Sequence, residues 1–336
     1  MKKILALVVA MAMVTSFAFA DETLINGAGA TFPYPIYSKW FDEYGKANPG
    51  VMFNYQSIGS GGGIKQITAK TVDFGASDGP MTMDQLTAAP GRIYHIPTVM
   101  GAVVIAYNLN GVAKGLKLSG DVLADIYLGK ITQWNDPRIT EQNAGVNLPS
   151  ASIVVVHRSD GSGTSYIFTD YLSKVSSEWK GKVGKSTSVN WPIGLGGKGN
   201  EGVAGMLKQT PGGIGYVELA YAKQNDLPYA FMKNQSGAYI EPTLESTSKA
   251  ADGATIPDDF RASVVNSPNP GAYPIASFTW LLIYKQMDDH TKGAAIVNFI
   301  KWAITDGQKY AEGLDYAPLP ANVVELIQQK LNHVKY

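Results

Sequence analysis

Short apolar runs alternate along the chain with segments whose apolar residues recur every three or four positions. Thr23 to Asn26 reads as a strand, followed by Gly27-Ala28-Gly29-Ala30-Thr31 and a helix with Ile36, Trp40 and Tyr44 on one face. Met52 to Ile58 is a second strand and runs into Gly59-Ser60-Gly61-Gly62-Gly63, with a helix from Ile64 to Ala69. Val72 to Ala76 is a third, ending at Ser77-Asp78-Gly79-Pro80 before a helix over Met83 to Ala88. Ser152 to Val156 gives a strand, Asp160-Gly161-Ser162-Gly163-Thr164 a turn, and Tyr166 to Leu172 a helix. The last third predicts a strand at Phe278 to Tyr284 and helices over Thr291 to Ala311 and Asn322 to Lys335. Strand–helix alternation of this kind predicts an α/β architecture with largely parallel sheets.

The amino terminus stands outside that pattern. Lys2 and Lys3 precede an apolar run from Ile4 to Val14, and Ala18-Phe19-Ala20 supplies the small residues wanted at a cleavage point, as in a secretory signal peptide. The run is shorter than the about 20 apolar residues that a bilayer crossing needs, and Thr98 to Tyr107 is strand-length. The expectation is an exported chain, residues 1–20 removed after Ala20, in the periplasm. Without Lys2 and Lys3, 26 basic residues face 28 acidic ones, so a site for an anion must be built locally.

Composition narrows the chemistry. A length of 336 residues fits two domains, and 45% hydrophobic with 17% charged residues is ordinary for globular proteins. No cysteine is present, which removes disulfides, thiolate metal sites, Fe–S clusters and cysteine catalysis. His95, His157, His290 and His333 are scattered, so neither a metal nor a cofactor is expected. With 28 basic and 28 acidic residues there is no field to hold nucleic acid.

Three strand-to-helix turns share glycine with a hydroxyl: Ala30-Thr31-Phe32, Gly59-Ser60-Gly61 and Ser162-Gly163-Thr164. The first N–H groups of a helix lack partners inside it, and the macrodipole adds partial positive charge there. Such turns can hold an oxyanion, although each alone is equally an ordinary helix cap. Asp78 also follows a strand but brings an acceptor. It either caps the next helix or faces an anion that carries a proton, as phosphate does and sulfate does not. Arg158 and Asp160 are either a surface ion pair or a guanidinium fork held toward an oxyanion by its neighbour.

Other motifs carry less. Gly197-Lys198-Gly199-Asn200-Glu201-Gly202 spells a dinucleotide loop but follows no clear strand, so nucleotide binding is not expected. Gly184-Lys185-Ser186 lacks the leading glycine of a phosphate loop, and neither Ser60 nor Ser162 lies in a nucleophile elbow.

Gly27 to Pro33, Tyr55 to Ser60, Val72 to Asp78, Arg158 to Ser165 and Trp191 to Asn200 together resemble the phosphate-binding protein of the phosphate-specific ABC transporter, the PstS family. Ile126 to Lys130, Gly213 to Glu218 and Leu314 to Ala317 extend the resemblance over the mature chain, with Gly61 and His157 as departures. The resemblance implies a two-lobed type II periplasmic binding protein, each lobe a mostly parallel or mixed sheet flanked by helices, with a cleft between. Lobe I would be 21–103 with 276–336, and lobe II 104–275. It also implies phosphate binding by Ala30, Thr31, Phe32, Ser60, Asp78, Arg158, Asp160, Ser162, Gly163 and Thr164. The expectation is a monomeric, non-enzymatic receptor that hands phosphate to membrane permease subunits. A secreted phosphate-ester hydrolase using Ser60 or Thr31 is the alternative, and an adhesion protein the third.

Overall fold

The computed structural model describes residues 22–336, so the signal-like segment and Asp21 lie outside it. Its strands are β1 (Thr23–Gly29), β2 (Val51–Ser57), β3 (Phe74–Ser77), β4 (Ile93–Asn108), β5 (Lys117–Leu118) and β6 (Val154–Arg158). They continue with β7 (Leu195–Gly197), β8 (Gly213–Glu218), β9 (Phe231–Lys233), β10 (Tyr239–Ile240) and β11 (Ala276–Tyr284). The helices are α1 (Tyr34–Ala47), α2 (Ser60–Thr68), α3 (Met83–Ala88), α4 (Gly120–Tyr127), α5 (Pro137–Thr140) and α6 (Gly163–Val175). Then come α7 (Ser177–Lys182), α8 (Gly199–Gln209), α9 (Leu219–Gln224), α10 (Leu244–Ser248), α11 (His290–Ala303) and α12 (Ala321–Leu331).

Eight strands form one sheet in the order β2-β1-β3-β11-β4-β8-β6-β7, and β10-β9-β5 form a small second one. Pairing is parallel at both flanks, where each strand returns through a helix: β1 with β2 and β3, and β6 with β7 and β8. In the middle, β11 and β4 run antiparallel to their neighbours, so the sheet is mixed where alternation alone predicted parallel strands.

Strand β4 is the seam. Its first part, Ile93 to Ala102, pairs with β11, and the rest, Val103 to Asn108, pairs with β8. Fifteen of its 16 residues are buried, as expected of a strand covered on both faces. The apolar run at Thr98 to Tyr107 is therefore the core of a longer element. Helix α1 buries Ile36, Tyr37, Trp40 and Tyr44 at helical spacing. The Trp40 indole N–H donates to the Gly307 carbonyl at 2.7 Å, holding a tight 3-10 turn over Asp306–Tyr310. Helix α11 ends at Ala303, and this 3-10 turn occupies the stretch expected to carry the helix on to Ala311.

Helix α2 begins at Ser60, four residues before the apolar periodicity does. The glycine run forms its first turn because side chains would not fit: a Cβ on Gly63 would lie 2.6 Å from the Ala28 carbonyl oxygen. The omitted side chains let the helix's N-terminal end approach β1 and β3 closely.

Candidate functional site

The carboxyl ends of β1, β2, β3 and β6 lead into Ala30–Thr31–Phe32, Gly59–Ser60, Asp78 and Arg158–Asp160, and α6 opens at Ser162–Gly163–Thr164. Thr31, Phe32, Ser60, Asp78, Arg158, Ser162, Gly163 and Thr164 are buried; Asp160 is half-buried. Hydrogen bonds join the turns into one cluster. Ser60 Oγ accepts from the N–H of Gly163 at 3.0 Å and of Asp78 at 3.2 Å. The Gly61 N–H donates to the Gly161 carbonyl at 2.8 Å.

The N–H groups of Thr31, Phe32, Ser60 and Thr164 have no protein acceptor among the described residues. All four belong to buried residues, where an unpaired donor costs of order 1–3 kcal/mol. Three hydroxyls lie in the same cluster, on Thr31, Ser60 and Thr164, so donors dominate. Three candidates have their N–H groups otherwise engaged: Gly163 with Ser60 Oγ, and Ala30 and Ser162. The Ala30 N–H donates to the Ala76 carbonyl at 3.0 Å and its own carbonyl accepts from Tyr55. Ser162 donates its N–H to the Thr187 carbonyl and caps α6 by accepting from the Ser165 N–H at 3.0 Å.

Arg158 donates through Nε and Nη2 to the two Asp160 oxygens at 2.8 and 2.6 Å, and its Nη1 points at Thr164 Oγ1, 3.4 Å away. Asp160 thus fixes one edge of the fork and leaves the other toward the cluster. Burial alone would raise the Asp160 carboxyl, but the Arg158 bonds and charge outweigh it and hold the group below its ordinary range. Of the two earlier readings, the surface ion pair does not hold: the Arg158 side chain is 1% exposed.

Asp78 is the one carboxylate set against Ser60. Its Oδ1 accepts from the Thr279 hydroxyl at 2.8 Å, while Oδ2 receives only a long contact from the Ser60 hydroxyl, at 3.5 Å, and keeps room to accept from a guest. Burial pushes Asp78 up to about 7, against the Thr279 hydrogen bond, the Arg158 charge and the Ser60 hydroxyl, which all favour the ionised form. It sits at the end of β3, five residues before α3, which Thr82 caps, so Asp78 is not a helix cap.

Two buried neighbours escaped the sequence reading. Thr279 comes from the middle of β11, more than 200 residues from Asp78, and only the antiparallel pairing of β11 with β3 brings it close. Asn200 opens α8 within the segment that was set aside for want of a strand. The structure supplies one: β7 pairs in parallel with β6, and β7, α8 and β8 form a strand–helix–strand unit. A strand of three residues, two of them glycine, leaves no apolar signal. The Gly199 N–H reaches Asp160 Oδ1 at 3.1 Å, and Asn200 reaches Thr31 and Thr164.

A buried cluster of donors with one acceptor, at strand ends of a mixed α/β fold, defines a solute-binding protein of the PBP superfamily, whose model matches residues 18–307. A phosphate-binding protein PstS of Xylella fastidiosa is 49% identical over 307 residues, covering 90% of this chain and 84% of the relative. Another of Pasteurella multocida is 48% identical over 318 residues, covering 94% and 92%. The chain belongs to the PstS family of phosphate-binding proteins. In fold it is similar to the solved phosphate-binding protein of Stenotrophomonas maltophilia, with a TM-score of 0.72 at 20% identity, over 92% of this chain and 94% of that one.

Proposed function

We propose that this protein is a receptor for inorganic phosphate in an ABC import system, binding the dehydrated hydrogen phosphate ion and presenting it to membrane permease subunits. The observation that carries the reading is the pairing of unpartnered N–H groups with one carboxylate oxygen, Asp78 Oδ2, which the protein engages only through a long 3.5 Å contact from the Ser60 hydroxyl. Donors suit a tetrahedral oxyanion, and the acceptor suits one that keeps a proton. The curated relatives are named for binding and not for catalysis, so the hydrolase alternative has no support among them. The amino-terminal segment supports export to the periplasm, with cleavage after Ala20 and a single chain as the working unit.

In this reading 21–103 with 276–336 form one lobe and 104–275 the other. Support comes from β4, which exchanges β11 for β8 between Ala102 and Val103, and from β11 beginning at Ala276. Thr31, Phe32, Ser60 and Asp78 then belong to the first lobe, and Arg158, Asp160, Ser162, Gly163 and Thr164 to the second. Closure around the ion removes water and strengthens each charge-assisted hydrogen bond. It requires only that the closed form bind phosphate better than an open one.

Calorimetric titration of the mature protein with phosphate, arsenate and sulfate tests the reading. Tight binding of the first two and rejection of the third is expected; comparable affinity for phosphate and sulfate overturns it. Closure has its own test at Gly59. Its φ is +85°, and a Cβ there would lie 2.2 Å from Asp160 Oδ2 and 2.8 Å from the Gly161 carbonyl. Gly59→Ala should therefore weaken phosphate binding about tenfold or more by blocking contact between the lobes. Small-angle scattering should show that phosphate no longer compacts the variant, and full compaction would remove the closure argument.

A further inference from the structure

We infer that Asn200 is a positioning residue that sets the direction of the hydroxyl protons in the phosphate site, an inference that rests on the receptor reading above. Asn200 is fully buried, and its amide orientation is fixed by its neighbours. Oδ1 accepts from the Glu218 N–H at 2.9 Å, so Nδ2 must face the other way. There it donates to Thr31 Oγ1 at 2.8 Å and to Thr164 Oγ1 at 3.1 Å. The Asn200 N–H adds a second hydrogen bond to Thr31 Oγ1 at 3.1 Å.

A hydroxyl has one proton to give and two lone pairs to receive. Thr31 Oγ1 has both lone pairs taken by Asn200. Thr164 Oγ1 takes one bond from Asn200 and one, at 3.4 Å, from Arg158 Nη1. Each hydroxyl is left with a proton and no protein acceptor among the described residues, so each can act only as a donor toward a guest. Without Asn200 either hydroxyl could turn and offer a lone pair, which an anion would repel. One amide thus sets the polarity of two hydroxyls, one from each proposed lobe, and ties them together.

The test is a double-mutant cycle for phosphate binding, measured by calorimetry on wild type, Asn200→Asp, Thr31→Val and the double variant, with thermal unfolding as a check on folding. An aspartate keeps the shape but offers oxygens where Nδ2 was, drawing the hydroxyl protons away from the guest. Asn200→Asp should weaken phosphate about 100-fold in the wild-type background. In the Thr31→Val background, where one of the two hydroxyls is gone, the same change should cost about tenfold or less. Equal losses in both backgrounds would mean a charge or packing effect and would overturn the inference, as would a variant that binds within about threefold of wild type. If Asn200→Asp does not fold, Asn200→Ala carries the same cycle, with about tenfold expected to shrink to about threefold and equal losses again decisive. Failure of the wild type to bind phosphate would instead sink the receptor reading itself.

Discussion

Asp78→Asn should gain sulfate affinity of about 100-fold while its phosphate affinity stays within about tenfold of wild type. The Thr279 hydroxyl already occupies one oxygen of this carboxyl at 2.8 Å, so the discriminating atom is Oδ2. An ion that brings a proton satisfies Oδ2; sulfate sets oxygen against oxygen in a dry site, with no proton to share. Replacing Oδ2 by an amide N–H supplies the missing donor, and phosphate can meet that N–H with an unprotonated oxygen. Acid should mimic the substitution. Because burial raises Asp78 to about 7, the carboxyl becomes neutral as pH falls through that value and can then donate. Sulfate should therefore bind wild type more tightly at pH 5 to 6 than at pH 8, and Asp78→Asn should lose this dependence. Titrations with both ions at each pH would check this, and an Asp78→Asn protein that still rejects sulfate would falsify the role.

Arg158→Ala is expected to weaken phosphate by about 1.5–3 kcal/mol, roughly 10- to 150-fold, the range for a lost charge-assisted hydrogen bond. Arg158→Lys should rescue little of it. A lysine ammonium cannot bond both Asp160 oxygens and still turn an edge toward Thr164, as Nε, Nη2 and Nη1 do now. The ligand-free protein should suffer too, since Asp160 would be left half-buried without its cation. The sign follows from its depressed pKa: the ionised carboxyl contributes stability above its unfolded value and loses it as pH falls through the folded one. The gap in unfolding temperature between wild type and Arg158→Ala should therefore be wide at neutral pH and narrow in acid. A constant gap would separate Arg158 from Asp160 energetically, and an unchanged phosphate affinity would remove Arg158 from the site.

What could be read from the chain follows from how far each signal reaches. Thr31, Ser60, Asp78 and Arg158 each sit where a strand gives way to a helix, and that junction is written locally in glycine, hydroxyl and charge. Thr279 carries no such mark. It is one polar residue among apolar ones in β11, and only a pairing across the sheet gives it a partner. Asn200 was hidden by a strand too short and too glycine-rich to show a hydrophobic period. The start of α2 was misread for a related reason: glycines that count against a helix in isolation are required where its first turn meets β1. Antiparallel pairing at the centre also went unread, because periodicity reports which faces are covered but not which way a neighbour runs.

The shared strand β4 has a practical consequence. Cutting the chain between Ala102 and Val103 would strip β11 of both its partners, β3 and the first part of β4, and leave a fresh row of unpaired amides and carbonyls on each fragment, although β8 would keep Val103 to Asn108. Neither fragment would make a clean minimal module; each would invite aggregation through its exposed flank. Engineering that needs a split, a permuted terminus or an inserted fluorophore belongs instead in an exposed polar loop outside that common rib, such as the stretch around Gly145.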